Sequence, residues 1–285
     1  MLNFLLRLLF GGVRRGSGSR AGRPGRYGIT ARLAFAALIL GISYLQFRAS
    51  THQEVNPFTG ETQTILRSMN TEQEIAMGLA AVPEMKKLHG GDHPDPRLQV
   101  EIDTIGMRLL RNGVGESPYD FEFHLLQDPI TVNAFALPGG QVFMTYGLWK
   151  LLPSENERAG VLGHEIAHVL ARHSAQQMAV AMRNQGIAGA AGVLVADSGS
   201  SPQMAGLVNQ MLTTRYGRED EYESDDLGVA IMMKAGYDPE GLIGVMEVLN
   251  RSAGGPTPPE FLSTHPNPGN RAERIRQRIR ELSQS

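Results

Sequence analysis

Ser154 and Glu157 form a capping pair three residues apart, which fixes the register of the helix that follows them. Two turns on, that helix carries His164-Glu165-Ile166-Ala167-His168, flanked by Val161, Leu162, Val169 and Leu170. Side chains four apart lie on one helix face, so the two imidazoles can grip a single divalent ion. Glu165 is rotated by roughly 100° from His164, which leaves it poorly placed to share that ion. It can instead reach a water beside the ion and take its proton. A chain with this segment must bury a polar helix face and bring a third ligand to it from elsewhere.

Composition narrows the choice of ligand. The 285 residues contain no cysteine, which excludes a thiolate metal site, a disulfide framework, an iron–sulfur cluster and a cysteine nucleophile. An extended three-histidine motif would place glycine at 171 and histidine at 174, where the chain has Ala171 and Ser174. His173 lies one residue off that geometry and reads as a structural residue or as a partner to a ligand. A carboxylate from a second helix is the other route. Arg218-Glu219-Asp220-Glu221-Tyr222-Glu223-Ser224-Asp225-Asp226 opens a helix that runs to Gly236. Glu221 and Asp225 share a face of it, while Glu223 points elsewhere. Glu221 can complete a two-histidine, one-glutamate site, and Asp225 can fix a ligand imidazole through its far nitrogen. An acidic helix start is also simply favourable to the helix dipole, so these carboxylates by themselves do not decide the matter.

The rest of the chain divides by composition. Residues 1–32 hold seven arginines and no acid, so of 27 basic residues 20 remain in a body with all 29 acids. Residues 1–31 form a basic tail, whose first ten residues are apolar enough to lie on a membrane surface and whose 14–27 stretch reads as a flexible linker. Residues 32–48 enclose an uncharged run, Leu33–Phe47, expected to be a transmembrane anchor; a cleaved secretory signal is the alternative. The arginine excess ahead of it predicts a cytoplasmic N-terminus and an exported body, periplasmic or otherwise extracytoplasmic. Residues 49–68 read as a polar linker, and 69–285 as the globular domain. Thr71 and Glu74 suggest a capping box, and Pro94–Pro96 introduces a second helix. Short strands are expected at 120–127, 131–136 and 141–145, with helices after them. The fold class is therefore α+β, mainly helical, with a small sheet. A net charge of −2 gives no reason to expect a nucleic-acid partner.

Four segments, in this order, resemble the M48 zinc metallopeptidases in a single-anchor or periplasmic form. They are Asn133-Ala134-Phe135-Ala136-Leu137-Pro138-Gly139-Gly140, Leu162 to Val169, Arg218 to Asp225, and Thr264-His265-Pro266. The resemblance covers about residues 55–285. It implies a gluzincin-type domain holding one Zn2+ through His164, His168 and Glu221, with Glu165 as the general base. It also implies an edge strand at Asn133, Ala134 and Phe135 that holds substrate backbone. His265 would bind the oxyanion or approach the metal in a resting state, with Arg271 orienting it or the ligand glutamate. Ser224 and Gly217 depart from the alanine and serine common at those places. The additional spans of some members have no counterpart: Ile187–Ala196 is too short to cross a bilayer and reads as a small-residue helix or lid. The implied activity is endoproteolysis of protein or peptide substrates, with misfolded envelope proteins as the class. A membrane-tethered chaperone or scaffold that binds unfolded chains without cutting them is the rival expectation.

Overall fold

A computed structural model describes residues 26–195, 216–254, 259–266 and 269–284, with side chains described from residue 33 and not at 189–195. Most of the basic tail 1–31, and Ala196 at the end of the small-residue segment, lie outside these residues.

The apolar run forms helix α1, Arg26–Ser50. Its window Leu33–Ser50 has a mean hydropathy of 1.4, making α1 long and apolar enough to cross a membrane. Its large side chains face outward, with Leu38 56% and Leu45 68% exposed. The region 49–68, expected to be a linker, is instead mostly an antiparallel hairpin. Strands β1, Thr51–Val55, and β2, Thr62–Leu66, pair with Thr51 opposite Leu66. The hairpin is part of the body: Ile65 is fully buried against Met69 and Ala175, and the Asn56 amide donates to the Leu170 carbonyl at 2.8 Å.

Helix α2, Thr71–Leu88, begins one residue earlier than the capping pair in the sequence suggests. Asn70 and Gln73 make the box. Glu74 is thereby released to the interior, where it accepts from Tyr119 and Arg172. Helix α3, Pro96–Arg108, is capped by Asp95 and continues through a π-helical turn at Leu109–Val114. The main sheet contains β3, Glu122–Leu126, β4, Ala134–Leu137, and β5, Gln141–Thr145, in the order β3-β5-β4. β5 is parallel to β3 and antiparallel to β4, so β4 is an edge. Gly139 and Gly140, both at positive φ, make the turn between β4 and β5.

After the short helix α4, Tyr146–Trp149, comes α5, Glu155–Leu170, with the capping box of Ser154 and Glu157 formed as the sequence predicts. Such a cap stabilises a helix by about 1 kcal/mol. Every residue of α5 from Ala159 to Leu170 is buried, so the polar face is enclosed. Arg172 then turns the chain in the left-handed region at φ 58°. That conformation costs a non-glycine residue about 1–2 kcal/mol, offset here by ion pairs from its guanidinium to Glu54 and Glu74. Helix α6, His173–Val195, leaves in a new direction and packs along α1, closely enough that a Cβ on Gly186 would fall 2.7 Å from that of Ser43. Helices α7, Arg218–Lys234, α8, Glu240–Ala253, α9, Phe261–Thr264, and α10, Arg271–Ser283, complete the described fold. One continuous apolar core joins α3, the sheet, α5, α7 and α8.

Candidate metal centre

The two helices that carry the candidate ligands cross at a pair of glycines. Gly163 on α5 and Gly228 on α7 face each other so closely that a Cβ on Gly228 would lie 3.3 Å from the Gly163 carbonyl carbon and the His164 nitrogen. Without side chains at the crossing the backbones approach, and residues one and two turns back along α7 reach the histidine face of α5. Those residues are Asp225 and Glu221.

The resulting cluster is buried. His164, His168, Glu221 and His265 each offer a ligand atom, and these four atoms lie within 4.8 Å of one another. The Nε2 atoms of His164 and His168 are 3.0 Å apart, pointing at a common position. Glu221 lies 3.5 Å from each of them through its two oxygens. His265 places Nδ1 3.0 Å from Glu221 Oε1 and 3.4 Å from His164 Nε2. Nitrogen and carboxylate donors without sulfur suit a divalent ion of the zinc type.

A further set of side chains holds the inner ones. Asp225 Oδ1 lies 3.1 Å from His164 Nδ1, leaving Nε2 as the inward atom. Arg271 is fully buried; its Nε and Nη2 donate to Asp225, both at 2.7 Å, and Nη1 lies 2.7 Å from Glu221 Oε2. His173 Nδ1 faces His168 Nδ1 at 2.8 Å, and its Nε2 lies 3.0 Å from Glu223. His173 is thus the partner of His168. Glu223, expected to point elsewhere, does point away from the inner cluster but anchors His173.

Electrostatics follow from burial and partners. Burial opposes a charge on Glu221, yet the surrounding histidines, His265 foremost, hold its pKa well below the usual carboxylate range. Burial also disfavours a proton on His164, but Asp225 and Glu221 outweigh it and push the pKa up to about 9. His168 is driven well down by burial. Glu165 differs from all of these. Burial raises its pKa, and among the described residues neither carboxylate oxygen has a hydrogen-bond partner; His265 Nε2 lies 3.6 Å from Oε1. An unpaired buried carboxylate is costly, so the site needs a water or a substrate group to satisfy it.

An aromatic shell encloses the cluster. Tyr216 stacks on His168 with ring centroids 4.1 Å apart, and Phe261 stacks on His265 at 4.4 Å. Neither residue carries a motif in the sequence. Phe261 precedes His265 by four residues, a spacing that could have flagged it. Of the expected substrate strand, Ala134 and Phe135 lie on β4, while Asn133 just precedes it and is fixed by Thr145 and Glu260.

The family model described as peptidase family M48 matches residues 96–279. The chain belongs to that family. The M48 match takes in both helices of the buried cluster and His265. Among similar proteins, the beta-barrel assembly-enhancing protease of Escherichia coli O157:H7 is 31% identical over 254 residues, 82% of this chain and 51% of that protein. The mitochondrial metalloendopeptidase OMA1 of Schizosaccharomyces pombe is 30% identical over 253 residues, 87% of this chain and 72% of the relative. Metalloprotease YcaL of Escherichia coli (strain K12) is 32% identical over 176 residues, 60% of this chain and 66% of that protein. The chain spans about half the length of the beta-barrel assembly-enhancing proteases it matches. Membership of M48 implies a metal ion, and the buried histidine and glutamate donors fit one.

Proposed function

We propose that this protein is a zinc-dependent endopeptidase tethered by α1, with His164, His168 and Glu221 as ligands to one Zn2+. One observation carries the reading: four converging ligand atoms within 4.8 Å stand beside a buried, unpartnered Glu165 carboxylate. Bound there by His164, His168 and Glu221, an ion would supply Lewis-acid activation of water and of the scissile carbonyl. Glu165 removes a proton from the attacking water and later delivers it to the leaving amine. Burial raises its pKa in the metal-free site, the direction that favours returning a proton. His265 donates to the oxyanion as it forms, or in a resting arrangement takes a place among the ligands. Asp225, Arg271 and His173 orient the inner side chains. The free edge of β4 holds substrate backbone by strand addition.

The substrates proposed are unfolded or misfolded proteins of the cell envelope, with the catalytic body on the exported side of the membrane. The arginine-rich tail supports that orientation, and the names of the bacterial relatives support the substrate class. The full chain should bind one equivalent of zinc and degrade a denatured protein in a chelator-sensitive way. Glu165→Gln should retain the zinc and lose turnover by orders of magnitude. Tight binding of denatured protein with no cleavage by the zinc-loaded wild type would instead favour the scaffold reading.

A further inference from the structure

Beside the metal centre lies a cavity of about 360 Å³ whose surface is mostly apolar. Its walls come from the end of the hairpin, α2, β4 and α6, through Leu66, Met69, Met77, Phe135, Met178 and Met182. At its inner end stand Asn133, Tyr216 and His265, so the cavity is continuous with the candidate site. Glu260 also lines it, but its carboxylate accepts from the Asn133 amide at 3.1 Å. Phe135 is held by stacking on Phe143, with centroids 4.9 Å apart, so the β4 wall is rigid. The methionine wall opposite is flexible and polarisable, and can close around apolar shapes of different outline.

Resting on the endopeptidase reading, we infer that this cavity is a specificity pocket for one large apolar side chain, such as Phe, Leu or Met, next to the scissile bond. A strand added to the edge of β4 turns alternate side chains to the same face. The cavity runs along that edge, because Asn133 and the residues from Phe135 to Pro138 line it, so a side chain of the added strand that turns towards α6 would enter it. The volume accommodates one such side chain with room for the methionines to adjust. A charged side chain would meet a mostly apolar surface and lose part of its hydration. Exposed large apolar residues distinguish an unfolded chain from a folded one, so the pocket would select unfolded protein by the property that defines it. The wall has a second feature. α6 supplies Met178, Ala181 and Met182 to the cavity, and its next turns pack on α1 at Ser43. α6 therefore links the pocket wall to the apolar helix.

The test uses the full zinc-loaded chain in lipid nanodiscs and fluorescent Gly/Ser-rich peptides with a single central Phe, Ala or Asp. Binding and cleavage are read separately. The Phe peptide should bind at least tenfold more tightly than the Ala peptide, and the Asp peptide most weakly. Ala181→Phe, at a half-buried position where the larger ring projects into the cavity, should remove most of that preference. Melting temperature and zinc content certify that this variant is folded, and Met178→Ala, which removes apolar wall, should narrow the advantage of the Phe peptide over the Ala peptide. Equal binding of the three peptides, or an unchanged preference in both variants, would overturn the pocket. A preference that responds to both variants without any cleavage would support the pocket and count against the protease.

Discussion

Arg271 and Asp225 form a two-toothed ion pair with both contacts at 2.7 Å, and the third guanidinium nitrogen of Arg271 reaches Glu221. A single buried cation thus bridges two buried carboxylates on one face of α7. Its fork geometry matches carboxylates in a way that an ammonium does not. Replacing it by Met leaves Asp225 and Glu221 with only His164 as a charged partner. Arg271→Met should destabilise the metal-free protein by about 3–5 kcal/mol, read by urea denaturation. Zinc should restore part of the loss, because the ion replaces the missing charge beside Glu221. A change under about 1 kcal/mol would show that the pair is solvated in solution and would contradict this geometry.

His173 stands between His168 and Glu223. It fixes which nitrogen of His168 faces the cluster, without touching the position where the proposed ligands converge. Loss of such a partner commonly weakens a metal site by about 10–100-fold. His173→Ala should therefore lower zinc affinity by that factor in a chelator competition while the fold persists. His173→Gln, which can still hydrogen-bond, should recover part of it. Unchanged affinity in the alanine variant would refute the relay.

What could be read from the sequence was local or periodic. The α5 register follows from Ser154 and Glu157, three residues apart, and the facing of Glu221 and Asp225 follows from their spacing of four. The hairpin at 51–66 is not legible because its strands are mostly Thr, Gln, Glu and His, so little apolar alternation marks them; Ile65 is their one buried apolar residue. α2 starts one residue before the Thr71/Glu74 pair implies because Asn70/Gln73 forms the box, and both pairs fit the pattern. Tertiary demand decides between them: Glu74 is needed by Arg172 and Tyr119 in the interior. Arg172 itself gave no warning, since its left-handed backbone is imposed by partners about 100 residues away in sequence. Tyr216 is likewise brought to His168 by tertiary contacts, its backbone N–H donating to the Thr264 carbonyl and its hydroxyl meeting that of Ser174.

Gly228 tests whether the helix crossing sets the geometry of the centre. Its missing Cβ would already lie 3.3 Å from backbone atoms of Gly163 and His164, which have no flexible end to yield. Gly228→Val adds two methyl groups beyond that contact, and overpacking of this kind typically costs about 1–3 kcal/mol. The helices should separate, so zinc affinity should fall by more than the stability loss alone predicts. Leu227→Val, on the same helix but away from the crossing glycine, provides the control. Equal zinc affinity in the Gly228 variant and the wild type would mean that side chains, rather than backbone approach, place Glu221.

The proton on His164 predicts how metal uptake depends on pH. In the metal-free protein burial opposes that proton, but Asp225 and Glu221 hold the pKa up at about 9 against an ordinary 6.5. A raised histidine pKa contributes stability that is fully present below 6.5 and is lost as pH rises through about 9. A metal can use Nε2 only in the neutral imidazole, so uptake near neutral pH releases this proton. Zinc affinity should therefore rise by roughly tenfold per pH unit from pH 7 and level off near the histidine pKa. Over the same interval the melting temperature of the metal-free protein should fall. Asp225→Asn removes a carboxylate that supports the charge, so its affinity should level off at lower pH. Competition against a chelator of known protonation, run from pH 7 to above the plateau, measures both. An affinity independent of pH across that interval would mean that His164 is already neutral in the metal-free protein, and the ion network drawn around it would be wrong.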